Sequence, residues 1–136
     1  MAANSRLAVG LHAMTVLAFR APEVLRSEDI AFSVRTNPVV IRRILSQFAR
    51  AGLVKSIRGK TGGFVLGRDP RRITGLDVYR ALDPSGLFAQ LPQGPQRMCE
   101  VSCAMKHLLD KTFKQVDEVV AQQLSRITIA SLASEV

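Results

Sequence analysis

The chain has 136 residues, 47% of them apolar and 22% charged, a globular composition rather than a disordered one. No stretch approaches the roughly 18 uninterrupted apolar residues of a membrane span, and two cysteines are too few for a secreted disulfide scaffold. A cytoplasmic protein with no membrane partner is expected, and a net charge of +8 directs attention to polyanions.

Residues 7–19 are apolar enough to suggest a signal peptide, but His12, Met14 and Thr15 interrupt the run and no cleavage site follows before Pro22. They read instead as a first core helix, capped by Asn4 or Ser5, with Leu7, Leu11, Met14 and Ala18 on its inner face and Ala21-Pro22 ending it. Ser27 reads as the N-cap of a second, short helix through Val34. Glu28 and Asp29 suit its positive end, and Ile30, Ala31 and Val34 face inward. Arg35-Thr36 forms the turn to the next helix, which gives a helix-turn-helix.

The stretch from Asn37 to Gly67 organises the rest. Asn37 is a good N-cap and Pro38 suits the first helical position. Ile41, Ile44, Leu45 and Phe48 recur at i, i+3, i+4 and i+7 and lay one apolar stripe along the helix. Arg42, Arg43, Ser46 and Arg50 fall away from it, and Gly52 closes the helix with Leu53 packing back. Val54 to Arg58 and Phe64 to Gly67 predict two short strands around a turn holding Gly59, Gly62 and Gly63. Positive φ is expected at Gly62 and Gly63. From Arg35 to Arg72 there are ten basic residues and one acid, Asp69, whereas the remainder of the chain carries nine bases and ten acids. The positive charge is therefore local to a helix followed by a hairpin, the arrangement of a recognition helix and wing on double-stranded DNA.

Candidate base contacts are Thr36, Asn37, Val39 and Val40 at the start of that helix, with the valines suited to thymine methyls. Arg42 and Arg43 can grip phosphate or guanine. Ser56, Arg58, Lys60 and Thr61 on the wing can reach the backbone or the minor groove, with Arg58 alternatively pinning the wing itself.

Beyond the wing, Asp69-Pro70-Arg71-Arg72 reads as a turn, and Thr74 with Asp77 forms a capping box for a short helix from Gly75 to Leu82. Asp83 to Arg97, rich in Pro, Gly and Gln, reads as a loop. A long helix from Glu100 to Leu124 should follow. Met105, Leu108, Thr112, Val116, Val119 and Leu124 keep a near-heptad rhythm on it, widened by Leu109, Phe113 and Val120. Such a helix either packs back on the first helices or pairs with a second copy. Pairing is the stronger reading, through Leu108, Thr112, Val116, Val119 and Val120. Residues 128–136 can add a final short helix. The expected fold is mainly α with a small β-hairpin wing: a winged helix-turn-helix over 1–83, a loop over 84–98 and a dimerisation helix region over 99–136.

The run LSQFARAGLVKSIRGKTGGFVLGRDPRRITGLDVYRAL resembles the signature of Rrf2-family transcription regulators. The matching residues are Ala51-Gly52-Leu53-Val54, Arg58-Gly59 with Gly62-Gly63, and Ile73-Thr74 with Asp77. Asn4-Ser5-Arg6-Leu7 and the segment from Thr36 to Arg43 are similar to a YwnA-type subgroup of that family. The resemblance implies a homodimeric winged helix-turn-helix protein, usually a repressor, with a long dimerisation helix. Many members hold an iron–sulfur cluster through three cysteines, whereas Cys99 and Cys103 are the two found here, so no cofactor is expected and an iron–sulfur cluster is the lesser alternative.

Cys99, Cys103 and His107 stand at i, i+4 and i+8. A straight helix separates the outer two by about 12 Å, too far for one zinc ion. A thiol switch is the alternative: Cys99 beside Arg97 at a helix N-terminus has the setting of a lowered thiol pKa. Two unremarkable cysteines packed near a dimer interface are the plainer reading, a small molecule could instead be the effector, and a nucleic-acid-binding accessory module without a sensor is a further alternative. Gly59-Lys60-Thr61 ends like a phosphate-binding loop, but Val54 stands where its first glycine must be. His12 and His107 are far apart with no nucleophile signature around them, so no enzyme is expected.

Overall fold

The computed structural model describes residues 3–82 and 100–136. The predicted loop over 84–98 and Cys99 lie outside the described residues. The elements in order are α1 (Ala3–Phe19), α2 (Ser27–Val34), α3 (Pro38–Arg50), β1 (Val54–Ile57), β2 (Gly63–Leu66), a 3₁₀ turn (Pro70–Arg72), α4 (Gly75–Leu82), α5 (Glu100–Ser125) and α6 (Ile129–Ser134). This is the expected mainly helical chain, with one antiparallel hairpin after the helix-turn-helix and a long helix near the C-terminus.

Helix α3 sits as its stripe requires. Ile41, Ile44, Leu45 and Phe48 are all buried, and the Asn37 side chain caps the helix by accepting the Val39 N–H at 2.9 Å. At the other end Gly52 adopts a φ of 76°, which only glycine takes without strain. The Leu53 N–H donates back to the Phe48 carbonyl at 2.9 Å, and Leu53 is buried.

Helix α1 departs from its expected register. Gly10, Ala13, Met14 and Leu17 form its buried face, whereas Leu7, Leu11 and Ala18 are only half-buried against the core. Apolar residues surround this helix, so spacing alone does not select a face. Gly10 explains the choice: a Cβ there would stand 2.8 Å from Leu82 and 2.9 Å from Phe48, so the missing side chain lets α1 approach α3 and α4. The chain is already helical at Ala3, which places Asn4 and Ser5 inside the first turn rather than at a cap. Likewise Arg26, not Ser27, is the cap residue of α2. Its backbone N–H donates to Asp29 Oδ2 at 3.2 Å, and Ser27 is buried as the first helical residue.

The hairpin pairs Val54 with Leu66 and Ile57 with Gly63. A two-residue exchange between Leu25 and Phe64, at 3.1 and 2.7 Å, ties its second strand to the α1–α2 connection. The expectation of positive φ at Gly62 and Gly63 is corrected: the left-handed residue of the wing is Gly59, at φ 115°. Gly62 and Gly63 are needed for close approach instead, since a Cβ on either would collide with a backbone carbonyl, of Ile57 and Leu25 respectively.

The capping box at α4 is present in both directions, Thr74 N–H to Asp77 Oδ2 at 2.9 Å and Asp77 N–H to Thr74 Oγ1 at 3.1 Å. Helix α6 returns to the first body: Ile129 is buried, its N–H donates to Ile73 O at 2.9 Å, and Gly75 N–H donates to Ile127 O at 2.8 Å.

Helix α5 behaves differently, with none of its residues buried. Its main contacts with the body are with α4, and it is not packed along α1 to α3. At 100° per residue, the apolar stripe divides in two. Leu109, Phe113, Val120 and Leu124 are half-buried, while Val101, Met105, Leu108, Thr112, Val116 and Val119 form an adjoining exposed row. Val101 at 67%, Leu108 at 53% and Val119 at 65% exposure mark that row. No described helix is long and apolar enough to cross a membrane.

Candidate nucleic-acid interface

The outer face of α3 is built by subtraction. With one side committed to the core, Val39, Arg42, Arg43, Ser46 and Arg50 are left in solvent. They line a shallow concavity together with Gln47 and Arg6. Arg6 comes from α1, forty-one positions away, and donates to Gln47 Oε1 at 2.7 Å. It adds a guanidinium to the α3 face that no local pattern could announce.

The two neighbouring arginines have different surroundings. Arg42 donates through Nε to Ser27 Oγ at 3.1 Å and ion-pairs with Glu28 at 3.2 Å. This fixes α3 against the first turn of α2. The Glu28 backbone N–H and the Arg42 guanidinium hold the Glu28 carboxyl below its ordinary pKa. Among the described residues, Arg43, Arg50, Lys55, Arg58 and Lys60 have no carboxylate partner. Arg43 has no such contact and is a candidate to meet phosphate or guanine, whereas Arg42, its side chain 54% exposed, also bridges α3 to α2.

At the leading end of α3, Val39 is exposed and Val40 is half-buried and packed on the core. Thr36 is half-buried. Asn37 spends its amide oxygen on the cap, leaving its NH₂ outward. The turn before it is tight. Arg35 stands in the left-handed region at φ 63°, and the Thr36 N–H returns to Ala31 O at 3.1 Å. His12 and Ser33 lie 3.2 Å apart and link α1 to α2.

On the wing, Ser56, Arg58, Lys60 and Thr61 are all exposed, and the turn is closed by Gly62 N–H to Gly59 O at 3.0 Å. Other bases of the positive stretch are used internally. Arg68 reaches Ala51 O at 3.4 Å and stands 3.9 Å from Asp77. Arg71 grips Asp69 at 2.7 Å and holds that carboxyl at a pKa of about 2. The surface offered to a ligand is therefore α3, the wing tip and Arg6: arginines, lysines and hydroxyls with an N-capped helix end, suited to phosphates and base edges.

Cys103 is exposed on α5. Among the described residues, no three His, Cys, Asp or Glu side chains come together in a way that could hold a metal ion.

Residues 3–135 match the Rrf2 family, described as an iron-dependent transcriptional regulator. YwnA of Bacillus subtilis (strain 168), an HTH-type regulator by name, is 36% identical over 90% of both chains. The HTH-type transcriptional regulator CymR of the same organism is 31% identical over 79% of this chain and 70% of that one. The solved structure of B. subtilis CymR, titled the global cysteine regulator, superposes with a TM-score of 0.66 at 28% identity, covering 97% of this chain and 95% of that one. With nearly the whole length matched and a cationic helix and wing outermost, this chain belongs to the Rrf2 family of DNA-binding transcription regulators.

Proposed function

We propose that the protein acts as a homodimeric repressor that occupies a two-fold symmetric operator, with α3 of each copy in the major groove and each wing on the flanking backbone. The observation that carries this reading is the exposed apolar row of α5. A 26-residue helix spans about 39 Å, and leaving Val101, Leu108, Val116 and Val119 in water along it is unfavourable. The same row on a second copy is its natural cover, because a two-fold axis sets identical patches face to face. Two copies also present two reading helices, which matches palindromic half-sites. Thr36, Asn37, Val39, Arg43, Ser56, Arg58, Lys60 and Thr61 are the assigned contacts.

Light scattering on the full chain, followed by selection of bound sequences from random duplexes, tests the proposal. A dimer that enriches an inverted repeat supports it. A monomer at all concentrations, or a non-symmetric motif, refutes it. Reporter output that rises when the protein is supplied would refute repression specifically.

The exposure of Cys103 favours a second layer, control by oxidation. Peroxide would join Cys99 and Cys103 in a disulfide, taking two electrons and the two thiol protons as its O–O bond breaks and leaving as two waters, and so alter the start of α5. Thiol titration before and after peroxide, with duplex binding measured alongside, decides it. Unchanged thiols and unchanged affinity would exclude the switch.

A further inference from the structure

Phe32 is the most exposed large apolar side chain among the described residues, at 87%. Its neighbours on α2, Ile30 and Ala31, are buried, so the helix has already met its packing needs without this ring. Its direction follows from helix geometry. Glu28 and Phe32 stand one turn apart on the same face of α2, and Glu28 accepts a hydrogen bond from Arg42 on the outer face of α3. The ring therefore stands on the α3 side of α2.

Phe32 lines an open recess with Ala31, Ser33, Arg35, Thr36 and Asn37. Three of these residues lead directly into the N-terminal turn of α3, the part of a recognition helix that presents side chains to base edges. Arg35 supplies positive charge to the recess, and the positive end of the α3 dipole opens toward it. Glu28, the carboxylate one turn back, is already paired with Arg42. An apolar ring beside the Arg35 guanidinium, continuous with the reading helix, fits a duplex groove. Its apolar target there is the 5-methyl group of thymine.

We propose that Phe32 is a specificity-determining residue that packs on a thymine methyl in each operator half-site, extending the reading surface from α3 onto α2. The inference rests on the DNA-reading function proposed above. It is tested on the full chain with a duplex enriched by the wild-type protein. Each thymine is replaced in turn by deoxyuridine, which removes only the methyl, and binding is measured for the wild type and for Phe32→Ala.

One thymine per half-site should weaken wild-type binding about four-fold when its methyl is removed and leave Phe32→Ala unaffected. Binding to random duplex and the melting midpoint should be the same for both proteins. If both proteins respond equally to the same thymines, the ring does not read DNA and the proposal is overturned. A changed oligomeric state in Phe32→Ala, with no difference in the uracil scan, overturns it in favour of a protein contact. If the wild type enriches no sequence at all, the parent function falls and this inference falls with it, a result distinct from an enriched motif lacking the coupled thymine.

Discussion

Leu108→Ala tests whether the exposed row of α5 is a self-association surface. The side chain is 53% exposed in the single chain, so roughly half of its burial is still to be gained. Complete burial of a leucine is favourable by about 1.5–3 kcal/mol, which leaves about 1 kcal/mol for Leu108. A two-fold axis places the residue in the interface twice, so truncation in both copies removes about 2 kcal/mol, or about thirty-fold in the dimer dissociation constant. Sedimentation across a dilution series reads that constant. Lys114→Ala is the control, because position 114 lies on the opposite side of the helix and is exposed. A dissociation constant that moves less than about three-fold for Leu108→Ala, or equally for the control, would refute the assignment of this row.

Three smaller tests bear on the reading head. Asn37→Ala removes the α3 cap and should destabilise the chain by about 1 kcal/mol, a fall of about 3–5 °C in a melting scan; no shift would mean the cap is dispensable. Gly59→Ala and Gly62→Ala should each weaken duplex binding several-fold by distorting the wing turn, the first through its φ of 115° and the second through collision with carbonyl oxygens. Both should keep a cooperative melt, and unaltered affinity would remove the wing from the interface. The Asp69 carboxyl falls from 3.8 to about 2 because Arg71 hydrogen-bonds the charged form. Its stabilising effect is therefore complete above 3.8 and lost as pH falls toward about 2. Asp69→Asn should flatten the stability profile in that window.

What the sequence made legible follows from how local each signal is. The stripe of α3, its asparagine cap, the Gly52 stop and the Thr74–Asp77 box are all set within a few residues, and each has one physical reading. Helix α1 resisted because apolar residues surround it, and its buried face is selected by Gly10 meeting Phe48 and Leu82 from distant elements. The contribution of Arg6 was invisible for the same reason, since its partner Gln47 is brought near only by folding. Arg42 has the charge of a phosphate contact, and only folding brings Ser27 and Glu28 beside it, with its side chain still 54% exposed. The glycines of the wing were rightly placed but wrongly explained: crowding by backbone oxygens, not handedness, requires Gly62 and Gly63.

The most direct test is the salt dependence of duplex binding by wild type and by a variant with Arg43, Arg58 and Lys60 changed to Glu. All three are exposed and, among the described residues, lack carboxylate partners, so the fold should tolerate the change. Each phosphate contact contributes about 0.9 to the slope of log affinity against log salt. The triple variant should therefore lose about three from the slope, along with most of the affinity at low salt. An unchanged slope and affinity in a folded variant would contradict the assignment of α3 and the wing as the surface that meets DNA.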